Sequence, residues 1–404
     1  MKARMRAAIA VAVAAAVTLE WSSSAATQSR TDTRAQVPSF KVDTAWPKVP
    51  KQWVLGLVSG VGVDSKDHIW VLHRPRTVNP EDKAKAAPPV LEFDVDGNFI
   101  QAWGGPGPGY EWPETEHGIA FDSTDNAWIA GSGRSDGQLL KFTRDGKFLL
   151  QIGRSGQSKG NTDQANVRGA ADIAYYAKTN EIFVADGYNN RRIIVFDADN
   201  GAFKRMWGAF GNVPTDPPAP PAGSRGNGLP PPDSSTEGAG ADQFNLVHSA
   251  RISNDGLLYV ADRANKRVQI FTPDGKYVKQ VFITRAKPAP SADPRTVSGQ
   301  PASKLADGLA NAGMTASRTA FSPDKEQRFL YVVDRIRQQI AILDRQSLEI
   351  VGSVGDGIGN APGAFYILHD VAADSKGNLY TAEVNNDGNR RAQKFTVTGT
   401  AARN

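Results

Sequence analysis

The stretch HSARISNDGLLYVADRANKRVQIF, residues 248–271, contains one unit of a pattern that recurs along the chain. A short segment leads through an Asn-Asp-Gly turn into an apolar segment that ends in Val-Ala-Asp. A polar turn then leads into a third segment that ends in Phe. Asp-Gly between two apolar runs is typical of a tight hairpin. The stretch therefore predicts three consecutive antiparallel strands.

Five further stretches follow the same template. They begin at Ser59, His117, Ala171, Ser317 and His369. Most copies are followed by a second turn, such as TPDGK or TRDGK, and by a fourth short strand. Six four-stranded units predict an all-β fold, a six-bladed β-propeller. A pair of β-sandwiches is the alternative, but it does not account for the six-fold repeat.

The sixth copy lacks an obvious fourth strand, whereas the segment SFKVDTAW, residues 39–46, precedes the first copy. We expect this N-terminal strand to close the ring, so that the propeller occupies residues 39–398 and residues 27–38 form a flexible N-terminal segment. Three long insertions are predicted to form loops on one rim, at residues 75–89, 213–244 and 285–314. Long loops in a compact domain are often functional.

The N-terminus has the pattern of a secretory signal peptide over residues 1–26. Lys2, Arg4 and Arg6 precede an apolar run from Ala7 to Leu19, and the small residues SSSAAT follow. This order of segments predicts a secreted or periplasmic protein without stable membrane insertion after cleavage. A single N-terminal membrane anchor is the alternative.

Composition excludes several kinds of chemistry. The 404 residues include no Cys, which excludes disulfides and thiolate catalysis. The formal net charge is +5, but the basic residues are scattered, so we expect no nucleic-acid partner.

Three of the five histidines occupy one position of the repeat, at the start of the innermost strand. The six copies place there Ser59, His117, Ala171, His248, Ser317 and His369. Alternate blades of a six-bladed ring lie about 120° apart, so the three imidazoles should converge on the channel axis. Three protein ligands with an open position are typical of catalytic zinc, although iron or another divalent ion could also bind. The alternative is that the histidines only plug the channel through hydrogen bonds. His68 and His73 lie outside this register and are predicted to be ordinary turn or strand-end residues.

Strand direction places a second set of side chains on the histidine face. The innermost strand leaves this face and the second strand returns to it, so the turn after the second strand should lie there. These turns carry Arg74, Tyr188, Arg263 and Arg335. A guanidinium can hold a carboxylate through two hydrogen bonds, and a tyrosine beside a divalent cation can accept a proton. The pattern therefore indicates an anionic substrate.

Several ordered motifs resemble a known enzyme family. VSGVGVDSKDHIWVLHR, EHGIAFD, IFVADGYNNRRIIVF, VHSARISNDGLLYVADRANKRVQIF and LHDVAADSKGNLYTAE together are similar to peptidyl-α-hydroxyglycine α-amidating lyase, from about Gly56 to Phe395. The D-x-x-N-x-R-V/I-x-x-F pattern within them resembles NHL repeats. The family resemblance implies a six-bladed propeller that carries catalytic zinc and structural calcium.

The resemblance also implies roles for particular residues. It makes His117, His248 and His369 the zinc ligands, and Arg74, Tyr188 and Arg263 the catalytic residues. It assigns calcium to the backbone carbonyls of Val61 and Ile119 and to the side chain of Asp370. Because Asp370 directly follows a histidine on a strand, we expect the two side chains to point to opposite sides.

The implied reaction cleaves the N–C bond of a carboxylate-bearing α-hydroxy-amide, a small molecule or a peptide, to give an amide and glyoxylate. We expect a monomer. The chain departs from the family at Ile367, where the family has methionine, and in lacking cysteine. Two alternatives stay open: a zinc-dependent propeller hydrolase such as a lactonase, and a non-catalytic NHL-repeat binding protein.

Overall fold

The computed structural model describes residues 36–216, 241–283, 296–297, 300–301, 314–384 and 390–401. The described residues belong to one compact unit. Nearly all of their regular structure is β-strand, in six four-stranded antiparallel sheets. The innermost strands of neighbouring sheets pack against one another in a closed cycle. The predicted six-bladed β-propeller is therefore confirmed.

The first three blades take their strands in chain order from the axis outward. Blade one comprises β2 (Leu57–Val63), β3 (Ile69–Arg74), β4 (Val90–Phe93) and β5 (Phe99–Trp103). Blade two comprises β6 (Glu116–Phe121), β7 (Ala127–Gly131), β8 (Gln138–Phe142) and β9 (Phe148–Gly153). Blade three comprises β10 (Ala170–Tyr176), β11 (Glu181–Asp186), β12 (Arg192–Asp197) and β13 (Phe203–Trp207).

Blades four and five follow the same order, and blade six includes the N-terminal strand. Blade four comprises β14 (Val247–Ile252), β15 (Leu258–Asp262), β16 (Arg267–Phe271) and β17 (Tyr277–Phe282). Blade five comprises β20 (Ala316–Phe321), β21 (Phe329–Asp334), β22 (Gln339–Asp344) and β23 (Ile350–Val354). Blade six comprises β24 (Leu368–Ala373), β25 (Leu379–Glu383), β26 (Ala392–Ala401) and β1 (Val37–Asp43).

The N-terminal strand closes the ring, as predicted. β1 pairs antiparallel with β26, the third strand of blade six, from Val37 opposite Ala401 to Asp43 opposite Lys394. The predicted bounds need correction, because β1 begins at Val37, inside the segment expected to be flexible, and β26 runs to Ala401 rather than ending at 398. Pro38 is accommodated in β1 because an edge strand need not donate on its open side.

The long insertions are described only in part. Residues 75–89 include two 3₁₀ turns, Pro75–Thr77 and Pro80–Lys85. Most of 213–244 and of 285–314 lies outside the described residues, so the rim position of these two loops stays a prediction. Between residues 284 and 313 the structure describes only the short strands β18 (Thr296–Val297) and β19 (Gln300–Pro301). A third 3₁₀ turn spans Ala209–Gly211. Among the described residues, no helix has the length and apolar character needed to cross a membrane.

Buried ion pairs account for the Asp and Arg residues that recur in the repeat. In blade four, Asp262 at the end of β15 accepts hydrogen bonds from Asn265 Nδ2 and from Arg267 Nε, each at 2.8 Å. Asp186 and Arg192 form the equivalent pair in blade three at 2.9 Å, and both are fully buried. Removing one partner of such a pair leaves a buried charge, which costs about 3–5 kcal/mol. The pairs therefore fix the turn that carries Tyr188 or Arg263 on the histidine face.

Every innermost strand contains a β-bulge at the repeat position that carries the histidines. In blade two, Glu116 pairs with Gly131 and Gly118 pairs with Ala130, so His117 is the extra residue. Equivalent shifts fall at Ser59, Ala171, His248 and His369, and at Ser317 and Arg318 in blade five. A bulge bends its strand and changes the direction of a side chain. The bulges thus define the register that the sequence repeat predicted.

Candidate metal centre

Three buried imidazoles meet at one end of the channel. The ring centroids of His117, His248 and His369 lie 4.6 to 5.0 Å apart. Each residue offers one nitrogen, and these atoms all lie within 4.8 Å of one another. The predicted convergence of the three histidines is therefore present in the structure.

Hydrogen bonds fix the orientation of each imidazole. The Nδ1 atoms donate to backbone carbonyls of the following blade: His117 to Ala171 at 2.7 Å, His248 to Ser317 at 2.8 Å and His369 to Ser59 at 2.7 Å. These carbonyls belong to the residues that occupy the histidine position in blades three, five and one. A neutral imidazole protonated on Nδ1 keeps its lone pair on Nε2. The blades without a histidine at this repeat position thus orient the histidines of the blades that have one.

The environment keeps the imidazoles unprotonated. Burial lowers the pKa of all three histidines well below the usual value of 6.5, and nearby arginine charges lower it further. Neutral imidazoles are the form that binds metal ions. Three such ligands suit zinc, and they also suit iron, copper or nickel. The residues present therefore fit a divalent transition metal.

Tyr188 contacts two members of the histidine group. Its Oη lies 2.9 Å from His117 Nε2 and 3.1 Å from His248 Nε2. Tyr188 follows β11, on the turn that was predicted to lie on the histidine face. Arg263, which follows β15 and is 5% exposed, donates from Nη1 to Tyr188 Oη at 3.5 Å. The structure therefore brings a phenol, a guanidinium and the imidazoles together.

Arg74 joins the group from blade one. It ends β3, and its Nε donates to the backbone carbonyl of Glu116, the residue before His117, at 2.8 Å. Burial lowers the pKa of Arg74 and also that of Arg263. Within the described residues, neither guanidinium forms an ion pair with a carboxylate. A desolvated guanidinium without an anionic partner is a strong binding group for a carboxylate.

The side chain of Asp370, expected to hold calcium, has other partners in the structure. Asp370 Oδ2 accepts from the backbone N–H of Val61 at 3.2 Å, and its Oδ1 accepts from the N–H of Val371 at 2.8 Å. Asp370 Oδ1 also lies 3.4 Å from Arg318 Nε. Burial raises the pKa of Asp370 to about 6. Ile119 is buried in β6. The guanidinium of Arg318 therefore lies beside the carboxylate that was assigned to calcium.

Asp370 and His369 both contact β2 of blade one. In a regular strand Asp370 would point away from His369, but both side chains reach β2, where they bond to Val61 and to Ser59. The bulge at His369 breaks the alternation, because it inserts one extra residue into β24. The two side chains therefore contact β2 at successive levels along the channel.

The other two histidines lie outside this group, as predicted. His73 Nδ1 accepts from the N–H of Gly56, and its Nε2 donates to the carbonyl of Pro88, both at 3.0 Å. His68 contacts Glu92 at 2.6 Å, in a cluster that Arg144 closes by pairing with Asp64 at 2.5 Å and with Glu92. Both imidazoles therefore support local structure.

Sequence reasoning missed Arg318. It stands one residue after the histidine position, in a column occupied by Gly60, Gly118, Asp172, Ser249, Arg318 and Asp370. This column holds one arginine together with two aspartates. The signal was available but lay in the neighbouring position of the same repeat.

Fold and site together define a six-bladed β-propeller with a group of three histidines at its channel. The family model named NHL repeat matches residues 244–271, the unit that forms most of blade four. Curated relatives at modest identity include amidating enzymes and NHL-repeat proteins, which confirms the resemblance found in the motifs.

Three relatives illustrate the range of sequence identity and coverage. Peptidyl-glycine alpha-amidating monooxygenase B of Xenopus laevis is 30% identical over 262 residues, which cover 59% of this chain and 25% of that protein. NHL repeat-containing protein 3 of Homo sapiens is 26% identical over 242 residues, 58% of this chain and 57% of that protein. The probable peptidyl-alpha-hydroxyglycine alpha-amidating lyase pgal-1 of Caenorhabditis elegans is 26% identical over 232 residues, 54% of this chain and 56% of that protein. The chain thus spans less than two thirds of each of these relatives.

Solved structures give weaker likenesses. A streptogramin B lyase structure has a TM-score of 0.49 at 12% identity, covering 89% of this chain and 98% of that one. Virginiamycin B lyase from Staphylococcus aureus has a TM-score of 0.46 at 12% identity, covering 89% of this chain and 100% of that one.

Proposed function

We propose that this protein is an exported, zinc-dependent lyase whose chemistry resembles that of peptidyl-α-hydroxyglycine α-amidating lyase. Its substrate would be a carboxylate-bearing α-hydroxy-amide, and its products an amide and glyoxylate. The observation that carries the proposal is the position of Tyr188 Oη, in contact with the Nε2 atoms of His117 and His248 and with a guanidinium of Arg263. The names of the amidating relatives support the same class of reaction.

The rim arginines account for the anionic end of the substrate. Arg74 and Arg263 have no carboxylate partner among the described residues, and the buried Nε of Arg263 has no hydrogen-bond acceptor. Arg335, at the equivalent turn of blade five, likewise has a buried Nε without an acceptor in the described part of the chain. A substrate carboxylate would satisfy such donors, because charged hydrogen bonds in a dry site are strong. We assign Arg74 and Arg263 to this contact.

Tyr188 is the group placed to move a proton. As the phenolate, its Oη would accept the proton of the substrate hydroxyl, and the positive charge of Arg263 would stabilise that phenolate. The O–H electron pair becomes the second C–O bond of glyoxylate as the C–N bond breaks. The C–N electron pair leaves on the amide nitrogen, which takes up the proton from Tyr188, so Tyr188 returns to the phenolate and no water is consumed. A zinc ion bound by the histidines would supply a Lewis acid for the hydroxyl oxygen.

Export and oligomeric state are part of the proposal. The basic, apolar and small-residue order of residues 1–26, which lie outside the described residues, supports a cleaved leader. We further propose that the chain acts as a monomer after export, since all three histidines come from the same propeller.

The direct test uses α-hydroxyhippurate, a benzoyl derivative of α-hydroxyglycine. Zinc-loaded protein should release benzamide and glyoxylate in equal amounts, faster than metal-free protein and buffer. Benzoate in place of benzamide would indicate hydrolysis of the amide and would favour a hydrolase. The absence of both products from folded, zinc-loaded protein would remove the proposed activity.

A further inference from the structure

A second group of polar side chains lies next to the histidines along the channel, at the following position of the repeat. In blade six, Asp370 accepts from the N–H of Val61 in blade one. In blade three, Asp172 accepts from the N–H of Ala250 in blade four at 3.1 Å, which is the same contact between equivalent positions of the repeat. Two carboxylates therefore point into the channel from blades that face each other across the ring.

Arg318, in the same column of blade five, lies between these carboxylates. Its Nη1 forms an ion pair with Asp172 Oδ1, and its Nε lies 3.4 Å from Asp370 Oδ1. The Arg318 side chain is fully buried, as is that of Asp172, and Asp370 is 1% exposed. A buried guanidinium thus bridges two buried carboxylates on the channel axis.

The charges of this group already balance. Asp172 also forms an ion pair with Arg251 Nη1, which reaches it from blade four. Two carboxylates therefore face two guanidiniums. A divalent cation in contact with Asp370 would lie close to the guanidinium of Arg318, and like charges repel strongly where water is excluded.

The same guanidinium is connected to the histidine group. Arg318 Nη2 donates to the backbone carbonyl of Ala171 at 3.0 Å, and that oxygen also accepts the hydrogen bond from His117 Nδ1. Arg318 therefore shares an acceptor with one of the metal-binding imidazoles.

We propose that Arg318 is an internal cation that takes the place of calcium, and that Val61, Ile119 and Asp370 do not bind calcium in this protein. The residues implied by the family resemblance are present, but their surroundings do not fit a second positive charge. The inference concerns the axis of the fold and goes beyond the proposed lyase reaction, so neither depends on the other.

Calcium binding by the unmodified protein gives the first test. Zinc-loaded protein is dialysed against radioactive calcium, and its thermal midpoint is measured with and without calcium while zinc is kept constant. We expect no calcium site that depends on Asp370, and an unchanged midpoint. If the unmodified protein binds one calcium per chain and Asp370→Asn does not, the proposal is wrong. If Asp370→Asn still binds calcium, that calcium is bound at another site and the result agrees with the proposal.

A gain-of-function variant gives the second test. Arg318→Ala removes the guanidinium and leaves two carboxylates near the axis, so it should acquire one calcium site, and saturating calcium should raise its midpoint by about 3–6 °C. Arg345→Ala is the matched control, because Arg345 pairs with Asp255 at a partly exposed site. Folded Arg318→Ala that binds no calcium would contradict the proposal. If that variant does not fold, the measurement on the unmodified protein decides.

Discussion

The Nδ1 of His369 donates to the carbonyl oxygen of Ser59 across 2.7 Å, joining residues 310 positions apart. This bond crosses the seam at which the last blade meets the first. Ser59 holds the histidine position in blade one, so a blade without a histidine at that position orients the histidine of its neighbour. The same relationship joins blades two and three and blades four and five. The group of three histidines therefore forms only when the propeller has closed.

Replacing one histidine should abolish stable metal binding. His248→Ala leaves two imidazoles, which hold zinc far less tightly than three. We expect zinc-incubated wild type to retain one zinc per chain through gel filtration, and His248→Ala to retain none, as measured by metal mass spectrometry. His68→Ala is the control, since His68 lies outside the group, and it should retain zinc. Equal zinc in wild type and His248→Ala would contradict the assignment.

Removing the hydroxyl of Tyr188 should separate chemistry from metal binding. Tyr188→Phe keeps the ring but loses the proton acceptor, so glyoxylate formation should slow by about 100-fold or more. Its zinc content should match that of wild type, because the ligands are histidines. Tyr175→Phe is the matched control from the same blade, where the hydroxyl bonds to Ser123 and Asn180. A wild-type rate in Tyr188→Phe would show that another group takes the proton.

Arg263 should determine the preference for an anionic substrate. Arg263→Gln removes a charged donor that is worth about 1.5–3 kcal/mol, so KM for α-hydroxyhippurate should rise by about 10–100-fold. The corresponding methyl ester lacks the carboxylate charge, so its kcat/KM should fall only through the lost contact of Arg263 with Tyr188, and by a smaller factor. Arg154→Gln, a change at an exposed ion pair with Glu111, serves as the control. An equal loss for acid and ester would argue against a carboxylate contact.

The repeat made the fold and the histidine register predictable, because both depend on local patterns that recur six times. Each copy has the same kind of turn residues, and three of the six copies place a histidine at the same repeat position. The N-terminal strand was also predictable, since blade six lacked a fourth strand. Its true start at Val37 was not, because pairing with β26 extends the strand through Pro38.

The contacts of Arg318 with Asp172 and Asp370 were not predicted, for a physical reason. The direction of Asp370 depends on a bulge, and simple alternation along a strand does not reveal one. The partners of Arg318 come from blades three and six, so their proximity follows only from the closed ring. A family resemblance assigns roles to single positions, but the charge balance depends on all of the neighbours together.

His73 should make the stability of the protein sensitive to acid. It is fully buried, and burial lowers its pKa to about 4 from the ordinary value of 6.5. Above pH 6.5 the imidazole is neutral in both the folded and the unfolded chain, so its contribution to stability is fully present. Between pH 6.5 and 4 only the unfolded chain binds the proton, so the free energy of unfolding should fall by about 3 kcal/mol through this residue.

His73→Gln isolates this effect, because glutamine does not titrate and can still accept from Gly56 and donate to Pro88. Urea unfolding of both proteins, with equal zinc, should give a stability difference that narrows or reverses from about pH 7.5 to about pH 4.5. Comparing the two proteins cancels the other groups that titrate in this range, including Asp334 and Asp370, whose pKa values burial raises to about 6. Their raised pKa values act in the opposite direction, since the folded chain then binds protons more readily than the unfolded one. A constant difference across the range would mean that His73 binds its proton equally well in the folded and the unfolded chain.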